Sequence, residues 1–106
     1  MQIKMVTKEE ALRYLSEVAP ERCFWVNNGP VLKKLEDLAN FLPNMSEETF
    51  KHHVSRDKND FSSWINDIVG DKTLANELLS SKSKDSIAKK IQKRLTILRN
   101  KTKIVV

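Results

Sequence analysis

The sequence predicts a mainly α-helical fold, a compact bundle of five or six short helices with one small β-hairpin near residues 22–32. Apolar residues recur at spacings of three and four over several stretches, which is the period of an amphipathic helix. The 106 residues include only two glycines and three prolines, and 40% of them are hydrophobic. This length and composition are typical of a single globular domain spanning residues 1–106.

The first helix is predicted over residues 8–18. Thr7 and Glu10 have the spacing of a capping box, in which each side chain accepts a hydrogen bond from the other residue's backbone amide. Pro20 ends the pattern because proline cannot continue a helix. The predicted apolar stripe consists of Ala11, Leu12, Leu15 and Val18.

An extended segment and a second helix follow. The aromatic and β-branched run at residues 23–26, the turn signal Asn27–Pro30 and the apolar pair Val31–Leu32 together predict the hairpin. Leucines then recur at helical spacing and predict a helix that ends before Pro43. These leucines are Leu32, Leu35, Leu38 and Leu42.

Three further helices are predicted from their N-terminal caps. Ser46 precedes two glutamates, which suit the positive end of a helix dipole, and predicts a short third helix. Asn59 predicts the start of a fourth, and Gly70 suits the left-handed position after its end. Asp71 then begins a fifth. The predicted core includes Leu35, Leu38, Phe50, Phe61, Trp64, Ile65 and Leu78.

The last predicted helix covers residues 85–100 and follows a polar segment, Ser80–Lys84, whose composition predicts a flexible linker. Its apolar stripe is Ile87, Ile91, Leu95 and Leu98. The apolar residues at 104–106 are predicted either to pair as a strand with residues 3–6 or to fray.

Positive charge is concentrated in this last helix. Residues 82–103 hold nine basic side chains and one acid, a net +8, whereas the first 81 residues hold ten bases and thirteen acids, a net −3. Lysines and arginines attract phosphates with little base selectivity. The leading hypothesis is therefore non-specific nucleic-acid binding, with DNA as the expected ligand. The predicted contact residues are Lys84, Lys89, Lys90, Lys93, Arg94, Arg99 and Lys101.

Two alternatives to this hypothesis stay open. The basic face can be a solvated surface that pairs with the acidic body of its own domain. It can also dock on an acidic protein surface or on a second copy of the chain. A helix lying on a membrane surface has little support because no aromatic anchor lies on its apolar face. No stretch approaches the roughly 20 apolar residues of a membrane-spanning helix, so a membrane partner is not expected.

Residues that often carry chemistry have simpler explanations here. His52 and His53 are adjacent and point about 100° apart on a helix, so they do not converge on one metal ion. His53 shares a face with apolar residues and is predicted to be packed with a hydrogen-bond partner. Cys23 is predicted to be a small buried residue. Of the aromatic residues, Trp25 is the least certain to be in the core, which leaves base stacking open.

The sequence holds no phosphate-binding glycine loop, serine-nucleophile elbow or zinc-ligand spacing, so we expect neither an enzyme nor a cofactor. With a single cysteine in the sequence, no intrachain disulfide is possible. A cytoplasmic, nucleoid-associated location fits these expectations.

One pattern resembles a known family. Phe24–Trp25, His53–Val54, the run Asn59–Ile65 and Gly70–Asp71 are similar to a family of small uncharacterised domains that recur in archaeal and some bacterial genomes. The resemblance covers about residues 20–80 and is most specific at Asn-Asp-Phe-x-x-Trp-Ile. It implies a defined domain of archaeal or related origin, transfers no activity, and leaves the basic helix outside its recognisable part.

Overall fold

The computed structural model describes residues 5–103, which form six α-helices and one two-stranded antiparallel hairpin. The predicted mainly α fold with a small hairpin is confirmed. The predicted pairing of residues 3–6 with 104–106 depends on residues outside the described range. The helices are α1 Lys8–Leu15, α2 Leu35–Phe41, α3 Glu47–His53, α4 Asp60–Trp64, α5 Lys72–Leu79 and α6 Lys84–Thr102; the strands are β1 Phe24–Trp25 and β2 Val31–Leu32.

Helix starts follow the capping residues. The Thr7 hydroxyl accepts from the Glu10 amide at 3.1 Å, and the Glu10 carboxylate accepts from the Thr7 amide at 3.0 Å. These two bonds satisfy backbone donors that the first helical turn leaves unpaired. Each of the other predicted caps also accepts from a backbone amide in the first turn of its helix. These caps are Ser46, Asn59 and Asp71.

The first helix differs from its prediction. It ends at Leu15, because Ser16 is extended and its hydroxyl donates to the Leu12 carbonyl at 2.6 Å. Its buried residues are Ala11 and Tyr14, whereas Leu12, predicted for the stripe, is 49% exposed. Packing of α1 against α6 decides which face is buried.

The hairpin covers an aromatic cluster. Phe24 in β1 points inward, and its ring lies 5.0 Å from His53, 5.2 Å from Phe61 and 5.9 Å from Trp64. Edge and tilted contacts at these distances stabilise a core beyond the area they bury. Trp25, the next residue, faces the opposite way and is 73% exposed. All seven predicted core residues are buried.

The basic helix α6 lies at the centre of the packing. It contacts α1, α2 and α5, and the four residues of its predicted stripe are fully buried. The Ser80–Lys84 segment before it is a tight connection, contrary to the predicted flexible linker. Ser81 is buried and its hydroxyl accepts from Ser86 at 3.0 Å, and Ser83 caps α6.

A backbone feature separates α4 from α5. After Trp64 the helix widens into a π-helical turn, Ile65–Val69, and Gly70 then adopts the left-handed region at φ 94°. The Gly70 amide donates to the Ile65 carbonyl at 2.7 Å, which closes the turn. The predicted role of this glycine at the helix end is confirmed.

Replacing Gly70 with alanine is expected to lower the free energy of unfolding by about 1–2 kcal/mol, the cost of a left-handed backbone for an L-residue. Space is not the cause, because a Cβ there would lie 3.6 Å from a Tyr14 ring carbon, an ordinary contact. Urea denaturation measures the change. Thr73→Ala, on the exposed side of α5, is the control and is expected to stay within about 0.5 kcal/mol. Equal losses in both variants would contradict the prediction.

Candidate polyanion-binding surface

The seven predicted contact residues fall into two groups. Four make ion pairs or hydrogen bonds with other parts of the domain: Lys84, Lys90, Arg94 and Arg99. The remaining three, Lys89, Lys93 and Lys101, make no side-chain hydrogen bond or ion pair with the described part of the chain. The structure therefore does not present the predicted set as one free ridge.

Arg94 forms the most enclosed of these interactions. Its Nε lies 2.7 Å from Asp71 Oδ2 and its Nη2 lies 2.9 Å from Asp71 Oδ1, a bidentate arrangement. The side chains are 12% and 1% exposed. Asp71 also caps α5 by accepting from the Leu74 amide at 3.2 Å. With its charge neutralised inside the domain, Arg94 is not available to a phosphate.

The other three engaged residues lie closer to solvent. Arg99 Nη2 is 2.6 Å from Glu36 Oε2, which ties α6 to α2. Lys84 donates to the Met45 carbonyl. Lys90 donates to the Glu77 carbonyl at 3.0 Å, near the C-terminal end of α5, where a cation interacts favourably with the helix dipole. Each of these contacts consumes donors that an external ligand would need.

Lys89 and Lys93 are two of the three α6 cations that make no side-chain hydrogen bond or ion pair with residues 5–103. Both are exposed, and they lie on the side of α6 opposite its buried stripe. A separation of four residues places them one above the other on the helix surface. We call this pair the outer lysines. Lys101, half-buried near the end of α6, lies on the side of the apolar stripe and does not extend the pair.

A second basic cluster, which was not predicted, surrounds the loop between α3 and α4. Arg56 and Lys82 line two small adjoining cavities of about 340 and 330 Å³, and Lys58 lines the first of them. Asp57 is the single acid among the described residues that line them. We call the three cations the basic notch. It brings together charges from two segments that are far apart in sequence.

Backbone pairing shapes the notch. Val54 and Asn59 form an antiparallel bridge, and the Ser55 amide donates to the Lys58 carbonyl at 2.9 Å, so the chain reverses tightly. Lys82 Nζ then reaches the Ser55 carbonyl at 3.4 Å. The only sequence signal was the presence of Arg56 and Lys58 two residues apart, and it gave no indication that Lys82 would join them.

Two further cavities, about 380 and 450 Å³, lie beside α1 and the turn at Gly70. Their charged lining residues are Glu10, Arg13, Glu17, Arg22, Asp67, Lys72 and Arg94. With Arg94 paired to Asp71, this lining holds three acids and three bases, and it lacks the excess positive charge that a polyanion requires.

His53 is occupied at both ring nitrogens. Its Nε2 accepts from the Asn27 amide at 3.0 Å, and its Nδ1 lies 3.0 Å from Asp60 Oδ2. Nothing is left on the ring to bind a metal or a substrate, so the predicted packed histidine is confirmed. His52 is exposed. Within residues 5–103, no group of three or more histidine, cysteine or acidic side chains is placed to hold a metal ion.

Cys23 is half-buried, which is more exposure than predicted, and its thiol lies 3.6 Å from the Ala19 carbonyl. It is the C-cap of a short 3₁₀ turn, Pro20–Arg22, rather than a residue of the aromatic cluster.

None of the helices in the described range combines the length and the apolar character needed to cross a membrane. Comparison of the chain with protein-family models, curated proteins and solved structures finds no match.

Proposed function

We propose that this protein binds the phosphate backbone of nucleic acid without base preference, through the basic notch and the outer lysines. The observation that carries the proposal is the convergence of three exposed cations, Arg56, Lys58 and Lys82, around cavities whose described lining contains one acid. Lys58 is also paired with Asp60 at 3.3 Å, and Lys82 donates to the Ser55 carbonyl at 3.4 Å, but both remain open to solvent. Excess positive charge around a concave surface attracts polyanions and raises their rate of association.

The distance between the two clusters along the axis of α6 is several times the spacing of charges on a nucleic acid. Lys82 lies two residues before α6, and the rise of the helix places Lys89 about 8 Å and Lys93 about 14 Å along its axis from Lys84. Duplex DNA carries one negative charge per about 1.7 Å of its axis. If both clusters contact one nucleic acid, they therefore meet different phosphates.

The composition of the surface favours contact with phosphates over recognition of bases. Four of its five cations are lysines, which act as flexible point charges and lack the planar fork that arginine uses on guanine. The three cations of the notch lie in the connections before α4 and α6 and not on a helix that could enter a major groove.

Removal of the outer lysines tests the proposal on α6. A Lys89→Gln/Lys93→Gln variant is expected to bind duplex DNA more weakly and with a shallower salt dependence, by about 1 unit of log K per log salt for each phosphate that is no longer neutralised. Fluorescence anisotropy across a range of salt concentrations measures both quantities. Lys8→Gln/Lys72→Gln removes the same charge from exposed sites elsewhere and should leave the slope unchanged.

The notch is tested separately with Arg56→Gln/Lys82→Gln, whose residues are both exposed. Circular dichroism checks that the fold is retained. Weaker binding in this variant and native binding in the Lys8/Lys72 control support the proposal. Absence of salt-dependent binding by the native protein would overturn the proposal. Equal weakening in all three variants would also overturn it, because only the net charge of the protein would then determine binding.

A further inference from the structure

The exposed tryptophan of the hairpin has no role in the fold described so far. Trp25 is 73% exposed, and it faces outward because its neighbours Phe24 and Val26 are both buried. Side chains alternate between the two faces of a strand, so the indole cannot turn inward without exposing those residues. Its cross-strand partner Val31 is exposed as well.

The surroundings of Trp25 combine an apolar surface with positive charge. Lys33 comes directly after β2, two residues beyond Val31, and it is exposed. The acids nearest in sequence are Glu21, Glu36 and Asp37, and the Asp37 carboxylate accepts from the Lys33 backbone amide at 2.9 Å. An aromatic ring beside a cation is typical of a platform on which an unpaired base stacks.

The hairpin is also linked to the basic notch. The turn after β1 contains Asn27, whose amide donates to His53. On the other side of the ring, His53 contacts Asp60 at 3.0 Å, and Lys58 Nζ lies 3.3 Å from the same carboxylate oxygen. Trp25 precedes Asn27 by two residues, about 7 Å of extended chain. The turn of the hairpin and the notch are therefore joined through His53 and Asp60.

We infer that Trp25 stacks on an unpaired base, so that the protein binds single-stranded nucleic acid more tightly than duplex. The inference rests on the proposed binding of the phosphate backbone. It adds a preference for single-stranded over double-stranded nucleic acid. Stacking requires a free base face, which a duplex does not offer, and it tolerates any sequence because every base has one.

Fluorescence gives a direct test because the chain has only two tryptophans. Trp64 is buried, and its indole N–H donates to the Arg22 carbonyl at 2.9 Å, so its emission should not respond to a surface ligand. Short oligo(dT) is expected to quench the emission of the native protein and to leave that of Trp25→Phe unchanged. Duplex of the same length should quench neither protein.

The affinities for oligo(dT) and for duplex distinguish this inference from the proposed function. Trp25→Ala is expected to lose roughly 5- to 100-fold in affinity for oligo(dT) and to keep native affinity for duplex, in line with the contribution of one stacked base. Val31→Ala, which truncates the exposed cross-strand partner and retains the indole, is the matched control and should lose far less. Circular dichroism checks the fold of both variants.

Two results would overturn the inference and leave the proposed function standing. One is native binding of both ligands by Trp25→Ala. The other is a change in mass by light scattering in Trp25→Ala with unchanged affinity for oligo(dT), which would make the hairpin face a protein contact. If the native protein binds neither ligand, the proposed function fails as well.

Discussion

Replacing Asp71 with alanine is expected to lower the free energy of unfolding by about 3–5 kcal/mol, the range seen when one partner of a buried ion pair is removed. The Asp71 side chain is 1% exposed and pairs through both oxygens with Arg94, which is itself largely enclosed. Without the carboxylate, the guanidinium is left buried without its counter-charge. The variant also loses the cap of α5, for which about 1 kcal/mol is typical. Urea denaturation followed by circular dichroism measures the total.

Two further variants separate these contributions. Asp71→Asn keeps a side-chain oxygen for the cap but removes the charge, so its loss reports mainly on the ion pair. Combining Asp71→Ala with Arg94→Met removes both charges and is expected to cost less than the two single changes added together. Glu36→Gln, at the half-exposed pair with Arg99, is the control, with an expected loss below about 1 kcal/mol. A similar loss in Glu36→Gln and Asp71→Ala would contradict this account.

Truncating Leu95 to alanine is expected to destabilise the domain by about 2–5 kcal/mol, the combined cost of the reduced burial and of the cavity that remains. Leu95 is fully buried in the middle of α6. Ile97 on the same helix is 40% exposed, so Ile97→Ala is a matched aliphatic control with a much smaller expected loss. Thermal unfolding of both variants measures the difference. If both midpoints shifted equally, α6 would be peripheral to the core.

The basic helix α6 therefore has a structural role in the packing of the domain, in addition to its proposed role in binding. A chain that ends before Lys84 would expose the surfaces of α1, α2 and α5 that α6 covers. For this reason binding should be tested by changing Lys89 and Lys93 in the whole chain, and removal of the helix would not be informative.

Local patterns in the sequence were sufficient to predict most of the fold. The capping box at Thr7, the cap at Asn59 and the left-handed Gly70 each depend on residues within a few positions, and each is confirmed. The buried stripe of α6 was equally predictable from its spacing. The prediction for Leu12 was wrong, because helical period alone does not reveal which face of a short helix packs against its neighbour.

The candidate surface was much harder to predict because it depends on contacts between distant segments. Arg94 lies at the edge of the apolar stripe, where the helical wheel gives no sign of an acid, and its partner Asp71 is 23 residues away. Glu36 and Arg99 are separated by 63 residues. The basic notch was missed for the same reason, since Lys82 joins it from 27 residues beyond Ser55.

The central position of α6 also bears on how the domain folds during synthesis. Chains emerge from the ribosome N-terminus first, at about 5–20 residues per second. The helices α1, α2 and α5 emerge with the surfaces that α6 covers still exposed, because α6 is the last helix of the described fold. The packing of these three helices is therefore completed only after residues 84–102 have left the exit tunnel. In the interval, the exposed apolar faces are natural targets for chaperones.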